Sequence, residues 1–137
     1  MAQKPMVTVA DITARAGKEQ RPGCAKDILY ADDAAEASVF QVKPGSGVPA
    51  HLHSRVFDLF VGIEGEITIF YEGQHGSGSF LLAPGAFCAM PPGVRHEVRN
   101  TGSTDAVFYL VHAPQQGYDF IPVELKSRTD DAANAHR

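Results

Sequence analysis

The sequence contains no tryptophan and only two cysteines among its 137 residues. Cys24 and Cys88 form no CxxC pair, so they give no sign of a redox or metal motif of that kind. A chain of this size buries roughly two thirds of the surface that it exposes when unfolded, so its core does not need disulfide bonds. We therefore expect two free, reduced thiols.

Long apolar runs and an excess of positive charge are also missing. The longest apolar runs, such as residues 106–111, fall far short of the roughly 20 residues that span a bilayer. The balance of 12 Lys and Arg against 16 Asp and Glu gives a formal net charge of −4, which offers no basic surface to nucleic acid or to anionic lipid. The first residues lack the basic and apolar regions of a signal peptide. These features predict a cytoplasmic protein that binds neither nucleic acid nor membranes.

Two large enzyme classes are excluded by missing motifs. The sequence has no P-loop and no nucleophile elbow, and residues 76–78 are too short to cradle a phosphate. Nucleotide-dependent phosphoryl transfer and serine hydrolase chemistry therefore have no support in the sequence.

The sequence does contain a series of short β-branched and aromatic runs, separated by Gly, Pro, Asn or Asp at intervals of about ten residues. This pattern is typical of an all-β sandwich or barrel. Strands are predicted near residues 37–43, 49–53, 57–63, 66–72, 78–83, 86–91, 94–100 and 105–113. Residues 72–78, with three glycines, are predicted to form an exposed hairpin tip.

The chain is too short for two full domains. We predict an N-terminal segment with short strands over residues 1–35, a barrel over residues 36–114, and a C-terminal extension over residues 115–137 whose last dozen residues are flexible. Within the first segment, residues 6–10 resemble a short strand and residues 21–24 a turn.

Histidines are the most informative residues. His51 and His53 are two positions apart on a predicted strand, so their imidazoles project from the same face and make half of a metal site. Asp58 lies five residues beyond His53 and can return to that face if the chain bends at residues 54–55. His96 follows a rigid turn that contains two prolines and a glycine.

Two stretches around these residues carry a family resemblance. Residues 45–65 resemble the first cupin motif, with the pattern Gly45-x5-His51-x-His53-x4-Asp58-x6-Gly65. Residues 85–100 resemble the second cupin motif, with the pattern Gly85-x5-Pro91-x-Gly93-x2-His96-x3-Asn100. The short spacing between the motifs is typical of small single-domain cupins. The glycines, Pro91 and Asn100 are explained best as turn-forming residues.

The resemblance implies a double-stranded β-helix, which is a jelly-roll barrel, holding one divalent transition metal. Carried over by position, the metal ligands are His51, His53, Asp58 and His96. Cupins usually have Glu where this chain has Asp58, and the shorter side chain binds the metal directly, binds it through water, or only holds a histidine. An unbound Asp58 is the candidate catalytic base. The resemblance also implies a homodimer, formed through the strands near the N terminus or through Phe108 and Tyr109.

Several other residues have a functional and a structural interpretation. Phe60 and Val98 follow predicted ligands by two residues, so they line the substrate pocket or simply pack in the core. Cys88 is predicted to be a buried, small apolar residue. Three further histidines are predicted to be structural or exposed, namely His75, His112 and His136. Of these, His112 lies at the end of a predicted strand and could instead face the cavity. Three arginines could supply a positive rim for an anion or could remain solvated, namely Arg55, Arg95 and Arg99.

The expected function follows from the ligand set. Imidazole and carboxylate ligands are compatible with Fe, Mn, Ni, Zn or Cu, so they do not choose the metal. An ion with open positions can act as a Lewis acid or activate dioxygen. We expect a dioxygenase-type enzyme, or an isomerase, lyase or decarboxylase, that acts on a small oxygen-rich molecule such as a hydroxyacid, diketone, enol or sugar acid. The alternatives are a non-catalytic cupin that binds a small ligand or metal, and a metal-free structural cupin.

Overall fold

The computed structural model describes residues 7–12 and 17–126, and it confirms the predicted all-β architecture. The strands are β1 (Lys18–Arg21), β2 (Cys24–Ala31), β3 (Glu36–Val42), β4 (Gly47–Leu52), β5 (Phe57–Glu64), β6 (Ile67–Gly73), β7 (Gly76–Leu82), β8 (Phe87–Met90), β9 (Arg95–Asn100), β10 (Ala106–Ala113) and β11 (Ile121–Pro122). A six-stranded sheet has the order β1-β2-β3-β10-β5-β8, and a five-stranded sheet has the order β11-β4-β9-β6-β7. Within the described ranges, no helix is long and apolar enough to cross a membrane.

The core lies between the two sheets and follows from strand alternation. On β10, Phe108 and Leu110 are buried against the opposite sheet, whereas Tyr109 between them faces outward. Phe108 stacks on Phe40 of the neighbouring strand β3, with ring centroids 4.8 Å apart, and contacts Phe60 of β5 at 5.7 Å. These aromatic contacts fill the centre of the barrel next to the candidate site.

The homodimer prediction is wrong about Phe108 as a contact residue. Phe108 is fully buried in the core, so it cannot contact a second copy of the chain. Tyr109 lies in one row with Val61 and the exposed Phe87 on the outer face of the six-stranded sheet. The homodimer itself remains a prediction.

The N-terminal strands are part of the same sheet as the barrel. β2 pairs along β3, with Cys24 opposite Val42, and the predicted turn at residues 21–24 joins β1 to β2. Residues 7–10 are not a strand, so the predicted β-like run at residues 6–10 is wrong for its described part, while Met6 lies outside the described residues. Residues 127–137, including His136, also lie outside them.

The predicted hairpin tip at residues 72–78 is shorter than expected. β6 and β7 stay paired up to Gly73 and Gly76, so only Gln74 and His75 form the turn, and His75 is exposed as predicted. The glycines belong mostly to the strands. At Gly78 a Cβ atom would lie 3.0 Å from the hydroxyl of Tyr71, so this glycine makes room for a neighbouring side chain.

Gly47 brings β4 close to β9 and so fixes the distance between two elements of the site. A Cβ atom at Gly47 would lie 1.9 Å from the backbone oxygen of Val98, which is far inside van der Waals contact. The same strand pair places His51 directly opposite His96.

We predict that Gly47→Ala lowers the free energy of unfolding by about 1–3 kcal/mol, because the added methyl group forces the two backbones apart. Denaturant unfolding of the purified variant measures this change. Gly73→Ala is the matched control, since its Cβ would lie 3.5 Å from the Val94 side chain in ordinary contact. An equal effect of the two substitutions would contradict the importance of the close approach at Gly47.

Candidate metal centre

The four predicted ligands meet between the two sheets. His51 lies on β4, His53 one residue beyond its end, His96 on β9 and Asp58 on β5. Their ligand atoms all lie within 4.8 Å of one another, and all four residues are buried, with exposed fractions of 1–4%. Residues separated along the chain are therefore brought to one point, as the spacing of the motifs predicts.

Each histidine ring is oriented through its Nδ1 atom. A backbone carbonyl only accepts hydrogen bonds, so an Nδ1 atom facing a carbonyl carries the proton and Nε2 is left with a lone pair. The carbonyl partners of His51, His53 and His96 belong to Pro49, Asp119 and Val94, at 2.7, 2.5 and 3.0 Å. The three Nε2 atoms are thereby prepared as metal ligands.

Asp58 brings a negatively charged oxygen to the same point. Its Oδ2 atom lies 3.1 Å from Nε2 of His53 and 3.0 Å from Nε2 of His96. When Nδ1 holds the proton of a neutral ring, these contacts join acceptor to acceptor and need a cation or an added proton between them. Ligand atoms that share one metal ion at 2.0–2.2 Å lie about 2.8–3.6 Å apart in octahedral or tetrahedral geometry, so these two contacts fit a shared divalent ion. Oδ2 of Asp58 is close enough to both imidazoles to bind such an ion directly.

The pKa values in the cluster reflect burial and mutual contact. Burial, followed by the nearby His96, lowers the pKa of His51 to about 3, so its ring is neutral at pH 7. Burial alone would raise the pKa of Asp58, but the hydrogen bonds that His53 and His96 donate when an added proton occupies Nε2 hold it well below its usual range. Burial likewise opposes protonation of His53, but the hydrogen bond and charge of Asp58 raise its pKa. Asp58 is therefore ionised and supplies the negative charge that a bound cation needs.

His112 is buried and lines the cavity, which is the second of the two interpretations that the sequence left open for it. It is 4% exposed, and its Nε2 atom lies 3.4 Å from Oδ1 of Asp58. Burial is the main reason that its pKa is lowered. The signal was present in the sequence, because strand alternation places His112 on the same face of β10 as Phe108 and Leu110.

A segment beyond β10, the C-terminal strap of residues 118–122, closes one side of the site. Phe120 stacks on His51 with ring centroids 4.2 Å apart, and Tyr118 stacks on His112 at 4.8 Å. Asp119 accepts a hydrogen bond from the backbone N–H of Ser54 at 2.8 Å and a second from the Ser54 hydroxyl. From the sequence, this segment was predicted only as part of the C-terminal extension, since none of its residues belongs to the two motifs.

A cavity of about 110 Å³ opens beside the site and is lined by three of the four ligands, His51, His53 and Asp58. Phe60 and Val98 line it, as predicted from strand alternation. Tyr118 also lines it, and burial, followed by the charge of Asp58, raises the pKa of this phenol to about 12. Tyr118 therefore keeps its proton at neutral pH and can donate a hydrogen bond into the cavity.

The positive charges at this cavity differ from those expected. Arg21 and Lys26 of the N-terminal strands line it, and Lys26 also forms a hydrogen bond of 2.8 Å with Glu36. The three arginines that the sequence analysis proposed for the rim are not among its described lining residues; they are Arg55, Arg95 and Arg99. Arg95 and Arg99 are turned toward other partners, which include the backbone oxygens of Glu124 and Gly45. The cavity instead takes its positive charge from the N-terminal hairpin, which reaches it because β2 pairs with β3.

The family model described as "Cupin domain" matches residues 38–112. This chain belongs to the cupin family. A comparison with curated protein sequences gave no match.

Three solved structures show the same fold as this cupin. TT1209 from Thermus thermophilus is 25% identical, with a TM-score of 0.69 over 79% of this chain and 98% of that one. A protein with a double-stranded β-helix domain from Klebsiella pneumoniae subsp. pneumoniae MGH 78578 is 17% identical, with a TM-score of 0.67 over 86% of this chain and 100% of that one. The oxalate decarboxylase formate complex from Lactobacillus farciminis is 15% identical, with a TM-score of 0.67 over 85% of this chain and 38% of that one. The double-stranded β-helix expected from the motifs is confirmed.

Both cysteines of this cupin are free. Cys24 is buried and Cys88 is half-buried against the edge of the core. Burial, followed by the charge of Asp58, raises the pKa of the Cys88 thiol to about 11. This agrees with the interpretation of Cys88 as a packing residue, because a neutral thiol is neither a good nucleophile nor a good ligand.

We predict that alkylation of Cys88 by iodoacetamide keeps accelerating as the pH rises through 9, since the thiolate fraction is still growing there. An ordinary thiol, as in the same protein unfolded in urea, is already largely ionised near that pH. Peptide mapping by mass spectrometry separates Cys88 from Cys24. A rate that levels off near pH 9 in the folded protein would contradict the raised pKa.

We predict that the wild-type protein purifies with or takes up close to one divalent ion per chain, and that His53→Ala loses most of it. Loss of a histidine removes one of the oriented Nε2 ligands. Asp58→Ala is expected to weaken binding less than His53→Ala, because three histidines remain. Elemental analysis measures the metal content, with His75→Ala as the control for an exposed histidine. An equal or greater loss in Asp58→Ala would show that the carboxylate is the stronger ligand.

Proposed function

We propose that this cupin is a metal-dependent enzyme that acts on a small oxygen-rich organic acid. The observation that carries the proposal is the convergence of three Nε2 atoms and one carboxylate oxygen beside a cavity. Fe, Mn, Ni, Zn and Cu all remain compatible with this ligand set. When bound, such an ion supplies a Lewis acid for substrate oxygens or a centre for dioxygen chemistry.

The cavity favours a small anion. The cavity is small, with a volume of about 110 Å³, and its walls include the apolar side chains of Phe60 and Val98. Arg21 and Lys26 add positive charge to the lining. Lys26 is already paired with the Glu36 carboxylate, whereas the side-chain partner of Arg21 is the thiol of Cys24, so Arg21 is the better candidate for an incoming carboxylate.

A substrate that contacts both the ion and Arg21 needs an acid group and a second oxygen, as hydroxyacids and sugar acids have. The similar fold of an oxalate decarboxylase in complex with formate provides an example of a small carboxylate bound by this architecture. Diketones and enols satisfy the metal but make no use of Arg21.

Two residues of the chain have roles in handling protons. Tyr118 holds its proton and can donate a hydrogen bond to a substrate oxygen. Asp58 is the candidate base in an isomerase, lyase or decarboxylase reaction, but its low pKa makes it a weak base and its position among the Nε2 atoms suits metal binding better. A dioxygenase-type reaction needs no such base, and we therefore prefer it.

The test is turnover of a panel of hydroxyacids, sugar acids, diketones and enols by protein loaded separately with each of the five metals. Product formation is followed by NMR and oxygen uptake by an electrode, under air and under argon. We expect conversion of at least one acid with oxygen uptake, loss of conversion in His53→Ala, and full conversion in His75→Ala. Conversion without oxygen uptake would favour an isomerase, lyase or decarboxylase. A ligand that binds unchanged would favour the non-catalytic module.

Substitution of Arg21 tests the substrate class. We expect Arg21→Gln to raise KM for the acid substrate by about 10–100-fold, as loss of a hydrogen bond to a charged group does, with a smaller effect on kcat. Arg99→Gln is the matched control, because Arg99 is bound to Glu97 and to the backbone oxygen of Gly45 away from the cavity. An unchanged KM in Arg21→Gln would contradict recognition of the acid group by this residue.

A further inference from the structure

A row of three polar side chains crosses the six-stranded sheet beside the metal centre. On β10, His112 pairs with Glu36 of β3 on one side and with Asp58 of β5 on the other. Residues directly opposite each other in antiparallel strands point to the same face, so all three side chains enter the barrel interior. Polar residues in an apolar barrel are costly unless they satisfy one another.

The two oxygens of the Asp58 carboxylate are in different situations. Oδ2 faces the Nε2 atoms of His53 and His96. Oδ1 is buried and has no hydrogen-bond partner, although Nε2 of His112 lies 3.4 Å away. A buried carboxylate oxygen without a donor is destabilising, so this contact is the one that can satisfy it after a shift of a few tenths of an ångström.

The ring of His112 is held in place from two other sides. Tyr118 of the C-terminal strap stacks on it with an interplanar angle of 11°. Oε2 of Glu36 lies 4.0 Å from Nδ1 of His112 and is itself bound by Lys26. The distance to Glu36 is too long for a hydrogen bond. The ring proton is therefore better placed on Nε2, where the N–H points at Oδ1 of Asp58.

His112 is not placed as a ligand. The group whose ligand atoms all lie within 4.8 Å of one another consists of His51, His53, Asp58 and His96. Its polar contact with this group is with Oδ1 of Asp58, whereas Oδ2 faces His53 and His96. The ring also lies against that of His53, with centroids 5.4 Å apart, but this contact involves no hydrogen bond, so the polar route from His112 to an ion is the carboxylate.

We propose that His112 is a positioning residue for the metal centre, whose Nε2–H binds Oδ1 of Asp58 and so holds Oδ2 toward the ion. The inference rests on the metal-binding part of the proposed function and not on turnover. Without the donor, the carboxylate is free to rotate about its Cβ–Cγ bond, and part of the binding free energy is then spent on fixing it. Outer hydrogen-bond partners of metal ligands typically contribute 10–100-fold to metal affinity.

The first experiment compares His112→Leu with His112→Gln, using Co²⁺ alone as the probe. Leucine has a similar size but no donor, whereas the glutamine amide places an N–H near the position of Nε2. We expect His112→Leu to weaken Co²⁺ binding by about 10–100-fold and His112→Gln to restore most of that loss. Visible absorption of Co²⁺ reports both affinity and ligand geometry, and thermal unfolding of the metal-free variants checks that they are folded.

The second experiment repeats His112→Leu in an Asp58→Ala background. If His112 acts through Asp58, its removal has no further effect once the carboxylate is gone. Equal weakening in both backgrounds, or no weakening in the wild-type background, would overturn the proposal. If His112→Leu does not fold, His112→Gln against His112→Asn provides the same comparison, because the asparagine amide is one methylene short of Oδ1.

The outcomes for this inference and for the proposed function are separable. A wild-type protein that binds Co²⁺ but converts no substrate would remove the enzymatic proposal and leave the positioning role to be decided by the variants. A wild-type protein that binds no divalent ion would overturn both.

Discussion

The metal centre depends on one constraint, which is that three imidazoles each give their Nδ1–H to a backbone carbonyl. The carbonyls of Pro49 and Val94 belong to the chain just before His51 and His96, so those two rings are fixed locally by the strand and turn that carry them. His53 is different, because its partner is the carbonyl of Asp119 in the C-terminal strap. Two ring orientations are therefore encoded within the motifs, and the third requires tertiary structure.

The ligands are shared between the two sheets. His51 and His96 belong to the five-stranded sheet, whereas Asp58 belongs to the six-stranded sheet. Such a cluster of buried polar groups opposes packing of the sheets unless its charges and lone pairs are matched. A cation bound there would match them and link the sheets at the same time, which would couple metal binding to the stability of the barrel.

The sequence predicted the ligand set and the barrel because both are encoded at short range. The spacing of His51 and His53 on one strand, the turn before His96 and the alternation at Phe60 and Val98 are all local, and each was found where the pattern placed it. Residues that reach the site from distant parts of the chain were not predicted in that role. Arg21 depends on the pairing of β2 with β3, and Tyr118 depends on the return of the chain after β10. His112 was an intermediate case. Strand alternation could place it on the inward face of β10, but its pairing with Glu36 and Asp58 could not be predicted.

The long-range contact between His53 and residue 119 sets an order of events during protein synthesis. The ribosome releases all three imidazoles and the carboxylate of Asp58 before it releases the carbonyl that orients His53. A nascent chain therefore carries every ligand while one of them is still free to turn. Ion binding with all four ligands oriented would therefore be a late step, possible only once the segment that contains residue 119 has been translated.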